Sequence, residues 1–90
     1  MEFRVLDEVV EIEGLGLTLF VSQEDGDRLH DGCAIRDARG HVHTVDSISS
    51  QEGLACLFIR GDQADYFRRL FRDIFVDATL FTLENTEGKH

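Results

Sequence analysis

His41 and His43 stand two residues apart in a stretch that alternates like a strand, so both side chains should leave the same face. Two imidazoles so placed could give a metal two ligands, with His30 or Asp46 as a third. A polar, solvent-facing strand accounts for the pair as well, and no metal site is assigned. Cys33 with His30 has the residue types of a nucleophile and its base, but nothing around them selects that pairing. Carboxylates are plentiful and fall where surface positions are expected, so no paired acid–base site stands out. No catalytic residue and no cofactor are therefore assigned, and the chain is not read as an enzyme. The basic concentration is Arg60, Arg68, Arg69 and Arg72, interleaved with Tyr66, Phe67 and Phe71. Arginine beside aromatic rings can stack on bases or dock a partner's acids. The phenylalanines read as core and the arginines as the outer face of one helix. These four arginines are the expected partner-binding residues.

The elements that must position them belong to a chain of 90 residues, enough for one domain and one core. A net charge of −9 favours solubility and works against long contacts with phosphate backbones. The charge is uneven. Residues 1–31 hold nine acids against Arg4 and Arg28, a balance of −7, whereas residues 60–72 carry +2. Cys33 and Cys56 lack Cys-x-x-Cys spacing and lie in apolar surroundings, which suits free, buried thiols better than a disulfide or zinc site. No basic-then-apolar leader opens the chain, and no stretch approaches the roughly 18 apolar residues of a membrane span. The expectation is a soluble, cytoplasmic protein.

Along the chain, Phe3 and Val5 alternate on odd positions and Val10 and Ile12 on even ones, so a bulge or bend is expected near Leu6–Val9. Gly14-Leu15-Gly16 is a corner, and Leu17, Leu19 and Val21 mark a second strand. Gln23–Arg28 reads as an exposed turn. Cys33–Arg36 is a third strand, Asp37–Gly40 a hairpin loop, and His41–Ile48 a fourth strand with a kink. Ser49–Gly53 is a loop into Leu54–Ile59, the longest nearly uninterrupted apolar run. A strand apolar on both faces should be covered on both sides. After Gly61 the apolar spacing changes to three and four residues, predicting a helix from Gln63 to about Arg72 with Asp62 as N-cap. Phe75–Leu83 returns to strand, and residues 84–90 form a polar tail. The total is mainly β: a small closed or partly open antiparallel barrel of about six to seven strands. One short helix, within an insertion at about 62–73, precedes the last strand.

The order of these motifs resembles the second domain of translational GTPases of the elongation factor Tu type. The acidic strand and glycine corner appear as Leu6–Gly16. The Leu-x-x-Gly return appears as Leu29–Ile35, with Cys33 where the family has an acid. Val45-Asp46-Ser47-Ile48 and Phe58-Ile59-Arg60-Gly61 match the two strands that follow. The likeness covers about residues 3–61, with a looser match from Ile74 to Leu80. It departs at Leu15, which replaces the family's corner arginine; at Asp77 or Ala78, where a glycine precedes the family's last strand; and in Asp62–Asp73, longer than the usual connection. No Gly-x-x-x-x-Gly-Lys-Ser/Thr loop exists in the chain, so no GTPase site is expected. The resemblance implies a translation-factor-like β-barrel standing alone. In that family the domain packs on the GTPase domain and helps bind charged transfer RNA. The resulting expectation is a non-catalytic interaction module for a protein partner, with transfer-RNA-related binding as the alternative and no membrane role. Oligomeric state is not specified.

Overall fold

The computed structural model describes residues 1–73 and 77–84. The expected strand at Phe75–Leu83 and the polar tail therefore lie partly outside the described residues. Eight strands and two helices follow in order: β1 Glu2–Arg4, β2 Val10–Ile12, β3 Gly16–Ser22, α1 Gln23–Gly26, β4 Ala34–Arg36, β5 Val42–Thr44, β6 Ser47–Gln51, β7 Leu54–Arg60, α2 Ala64–Asp73 and β8 Leu80–Leu83. They form two antiparallel four-stranded sheets, β1-β8-β4-β5 and β2-β3-β7-β6. A mainly β fold is found, but no closed barrel: the ladder is interrupted at two corners. At one, Val5 bridges Val21 and the Leu6 amide donates to Phe20 O at 2.8 Å. At the other, β5 gives way to β6 across Val45 and Asp46, and the Asp46 amide donates to Phe58 O at 2.8 Å. The predicted phase shifts near Leu6–Val9 and within His41–Ile48 are the chain bends at these two corners. A bend that re-aims side chains costs ladder hydrogen bonds, which is why each long predicted strand becomes two short ones.

The inner faces close on one core. Leu17, Leu19 and Val21 of β3 meet Leu57 and Ile59 of β7, Ile35, Phe81, and Phe67 and Leu70 of α2, all at most 1% exposed. The helical spacing read after Gly61 thus buries one stripe of α2, as an amphipathic helix requires. Its first intrahelical bond runs from the Phe67 amide to Gln63 O at 3.2 Å. Gln63, not Asp62, therefore occupies the N-cap position, because that residue's carbonyl accepts the first helical bond. Gln23–Arg28, expected as a turn, contains a one-turn helix. Ser22 Oγ caps it by accepting from the Asp25 amide at 3.1 Å, as its Ser-x-x-Asp spacing allows. Cys33 and Cys56 are free and buried. Among the described residues, no helix is long and apolar enough to cross a membrane.

Two turns explain how the second sheet is registered. The Leu15 amide donates to Ile12 O at 2.9 Å with Gly14 at φ 80°, a type II turn whose third position needs a positive φ. Gly16 then brings β3 so close to β7 that a Cβ there would strike the Ile59 carbonyl oxygen. The expected Ser49–Gly53 loop shrinks to Glu52 and Gly53, because β6 runs to Gln51 and pairs with Leu54. Both turn residues have positive φ, 52° and 84°, the geometry of a type I′ hairpin, which favours Asn-Gly. Glutamate is strained there. Glu52→Asn is expected to raise stability by about 0.5–1 kcal/mol, read as a shift of the thermal midpoint of a few degrees. An unchanged midpoint would contradict the assignment.

Candidate functional site

The residues with chemical potential gather where the β4–β5 hairpin meets α2. Alternation places Ile35, Asp37, His41 and His43 on one face, and the hairpin is fastened by the Asp37 amide donating to His41 O at 2.8 Å. Asp37 itself ties the loop: its Oδ1 accepts from the Arg39 and His41 amides at 2.8 and 3.0 Å. Its Oδ2 accepts from the Tyr66 hydroxyl at 2.6 Å and from His43 Nε2 at 2.7 Å. Asp37 is 5% exposed and His43 7%. The other ring nitrogen, His43 Nδ1, lies 3.1 Å from the Gln63 side-chain amide. The His43 ring packs on Phe67, centroids 4.6 Å apart, and on Tyr66 at 5.5 Å. One carboxylate thus joins a hairpin, a strand and a helix.

Electrostatics follow from this geometry. Burial pushes the Asp37 carboxyl up, but hydrogen bonds from His43, Tyr66 and the two amides outweigh it and hold the group below its ordinary value. Burial, together with the bond to Asp37, pushes the Tyr66 phenol above its ordinary value. Four donors on one carboxylate stabilise the ionised form.

An Asp–His pair is the base-and-orienter half of a hydrolytic triad, so the remaining nitrogen decides what it can do. That nitrogen faces Gln63, an amide, rather than a hydroxyl or thiol. A cleft of about 310 Å³ opens beside it, lined by Thr44, Asp46, Arg60 and Gln63 among others. The cluster is closed on itself: among the described residues no buried side-chain polar atom lacks a partner. Fully satisfied networks of this kind hold their members in fixed positions. Cys33 and His30 do not form a nucleophile pair: Cys33 is buried, while the exposed His30 turns its Nδ1 to Asp31 O at 3.0 Å. His41 and His43 do share a face, both against Tyr66, but His43 is spent on Asp37 and Gln63. Among the described residues, no group of three or more His, Cys, Asp or Glu is placed to hold a metal.

The four arginines are placed differently from one another. Arg60 pairs with Asp46 at 3.0 Å and lies over the Phe58 ring at 5.7 Å. Arg68 reaches Asp65 at 3.1 Å and Glu11 at 3.4 Å, and Arg72 pairs with Asp73 at 3.0 Å. Arg69 is exposed and makes no ion pair among the described residues. Three of the four are thus neutralised within the chain, so the positive face read from the sequence is largely an ion-pair surface.

A second surface was hidden by the expectation that β7 is covered on both sides. One face is fully buried; on the other, Cys56 is buried but Leu54 and Phe58 are only half-buried. Register places Val10, Thr18, Phe58 and Ser47 in one row across the second sheet, and Phe20, Cys56 and Ser49 in the next. These side chains face away from the core. Phe20, Leu54 and Phe58 are only half-buried, and Val10 and Ile12 are 40% and 37% exposed. None of them belongs to the core cluster or packs against it.

No protein-family model, curated protein or solved structure matches this chain.

The geometry alone therefore ranks the candidates. Sequence reading found His43 but gave it the wrong company. The usable signal was parity: Asp37 and His43 are both an even number of residues from Ile35, and the short hairpin returns one beside the other. The tie to Tyr66 had no sequence signal, since it depends on where α2 docks.

Proposed function

We propose that this chain is a non-catalytic interaction module that binds a protein partner through the outer face of β2-β3-β7-β6. The observation that carries it is the strand Leu54–Arg60, apolar on both faces, whose inner face is fully buried while Leu54 and Phe58 on the outer face are only half-buried around a buried Cys56. Together with the exposed Val10 and Ile12 these side chains leave apolar surface on one sheet face, and apolar patches of this kind mark association sites. The closed Asp37–His43–Tyr66 cluster supports a structural rather than catalytic use of the chain's best acid–base residues. The strand path β1-β8-β4-β5, then β6-β7-β3 and back to β1 through the Val5–Val21 bridge, supports reading the two sheets as a partly open barrel of the translation-factor type. Two free cysteines suit a reducing, cytoplasmic setting. Transfer-RNA-related binding is the weaker reading. Arg60, Arg68 and Arg72 are occupied by acids, which leaves few cations for phosphate contacts.

The test is affinity capture from native extract, comparing the unaltered chain with Phe58→Glu. A defined protein recovered by the first and lost with the second is the expected result. Recovery unaffected by Phe58→Glu would remove the outer face from the account.

A further inference from the structure

The proposed docking face ends in an open strand edge, and that edge narrows what the partner must be. β2 pairs with β3 on one side and, among the described residues, with no strand on the other. All three of its residues are exposed, and Leu15 in the following turn is 56% exposed. Proteins guard such edges against indiscriminate pairing with Lys, Pro or an inward charge, and here that charge is Glu11, opposite the core-facing Leu17. Here the chain has no proline, and residues 1–31 contain no lysine. The charges along the edge are Glu8, Glu11 and Glu13. Among the described residues only Arg68 answers them, at 3.4 Å from Glu11. Beside the edge lies a groove of about 390 Å³ formed by Ile12, Leu15, Gly16 and Gly61 with Glu11 and Asp62.

We infer that the free edge of β2 takes an extended basic segment of the partner protein as an added antiparallel or parallel strand. This rests on the protein-binding reading above and specifies its chemistry. Side chains on an added strand alternate between the two faces. Those beside Val10 and Ile12 continue the apolar outer face and should be apolar. The one beside Glu11 lies on the opposite face and should be Lys or Arg. The occupant is therefore an apolar–basic–apolar stretch. A second copy of this chain fits poorly, because antiparallel self-pairing about Glu11 sets the two Glu11 carboxylates opposite each other, and like charges across a ladder are destabilising.

The probe is a fluorescein-labelled nonapeptide alternating Val and Lys, followed by anisotropy against the full chain, with a Val/Glu peptide of equal length beside it. The Val/Lys peptide should bind at least tenfold more tightly, and binding should weaken as salt rises. Val10→Lys with Ile12→Lys should cost at least tenfold while far-UV circular dichroism stays unchanged. Two further Val/Lys peptides carry N-methyl groups on alternate amides, one on odd and one on even positions. Strand addition requires that one set blocks binding and the other spares it, since only alternate amides face β2. Equal binding of the Lys and Glu peptides, or equal behaviour of the two methylated peptides, would overturn the inference. So would a stable dimer by sedimentation, which would give the edge to a second copy. If the peptides fail while capture dependent on Phe58 persists, only the edge assignment falls. If that capture is absent as well, the module reading falls with it.

Discussion

Asp37→Ala is expected to lower unfolding stability by about 3–5 kcal/mol, the range for breaking a buried charged network by removing one partner. The loss is large because one carboxylate serves four donors: His43 Nε2, the Tyr66 hydroxyl and the amides of Arg39 and His41. Truncation leaves a buried imidazole and a half-buried phenol without their shared acceptor, and each such orphan costs about 1–3 kcal/mol. Tyr66→Phe removes a single donor and should cost about 1.5–3 kcal/mol. Urea unfolding over a pH series reads both. The Asp37 carboxyl is held below its ordinary value in the folded state. Its contribution is therefore present above the unfolded-state value of about 4 and is lost as pH falls through the lower folded value. Tyr66 is raised, so its contribution is complete below about pH 10 and is lost as pH rises beyond that. Asp37→Ala should flatten the acid limb and Tyr66→Phe the alkaline one. Acid limbs identical in the parent and Asp37→Ala would contradict the assigned network.

The second large effect separates two neighbouring residues. Leu57 is fully buried and packs in the core, whereas Phe58 points out from the other face of the same strand. Leu57→Ala should cost about 2–5 kcal/mol, the span for emptying a packed leucine site. Phe58→Ser removes a larger side chain from a half-buried site and should cost less, about 1–2 kcal/mol, from its partial burial and its contact with the Arg60 guanidinium. Thermal or urea unfolding of the pair decides it. A Phe58→Ser cost equal to that of Leu57→Ala would show the outer face to be a second core rather than a docking surface.

The contrast between these residues also shows where sequence reading reached its limit. Period-2 alternation located β3, the nearly uninterrupted apolar run Leu54–Ile59 located β7, and the change to helical spacing after Gly61 located α2, because those patterns are set by burial within one element. The predicted bends near Leu6–Val9 and Val45 were legible for the same reason. Coverage of the outer face was not, since an apolar face has the same composition whether a neighbouring element or another molecule lies against it. The ion pairs of the arginines were not legible either: Glu11, fifty-seven residues from Arg68 in sequence, is brought to it only by the fold. Asp37 and His43 were a readable pair by parity, but their closure by Tyr66 and Gln63 depended on helix docking. Of the closed or partly open barrel expected, the closed form is not found, because each bend here interrupts the ladder rather than turning a continuous corner.

The claim that matters most is that the apolar outer face, not the arginine-bearing helix, meets a protein. Capture from native extract with variants on the two surfaces tests it most directly. Phe58→Glu should abolish recovery of the partner, and Arg69→Glu should leave it intact, with both variants keeping the parent's far-UV circular dichroism. Recovery lost with Arg69→Glu and retained with Phe58→Glu would contradict the account.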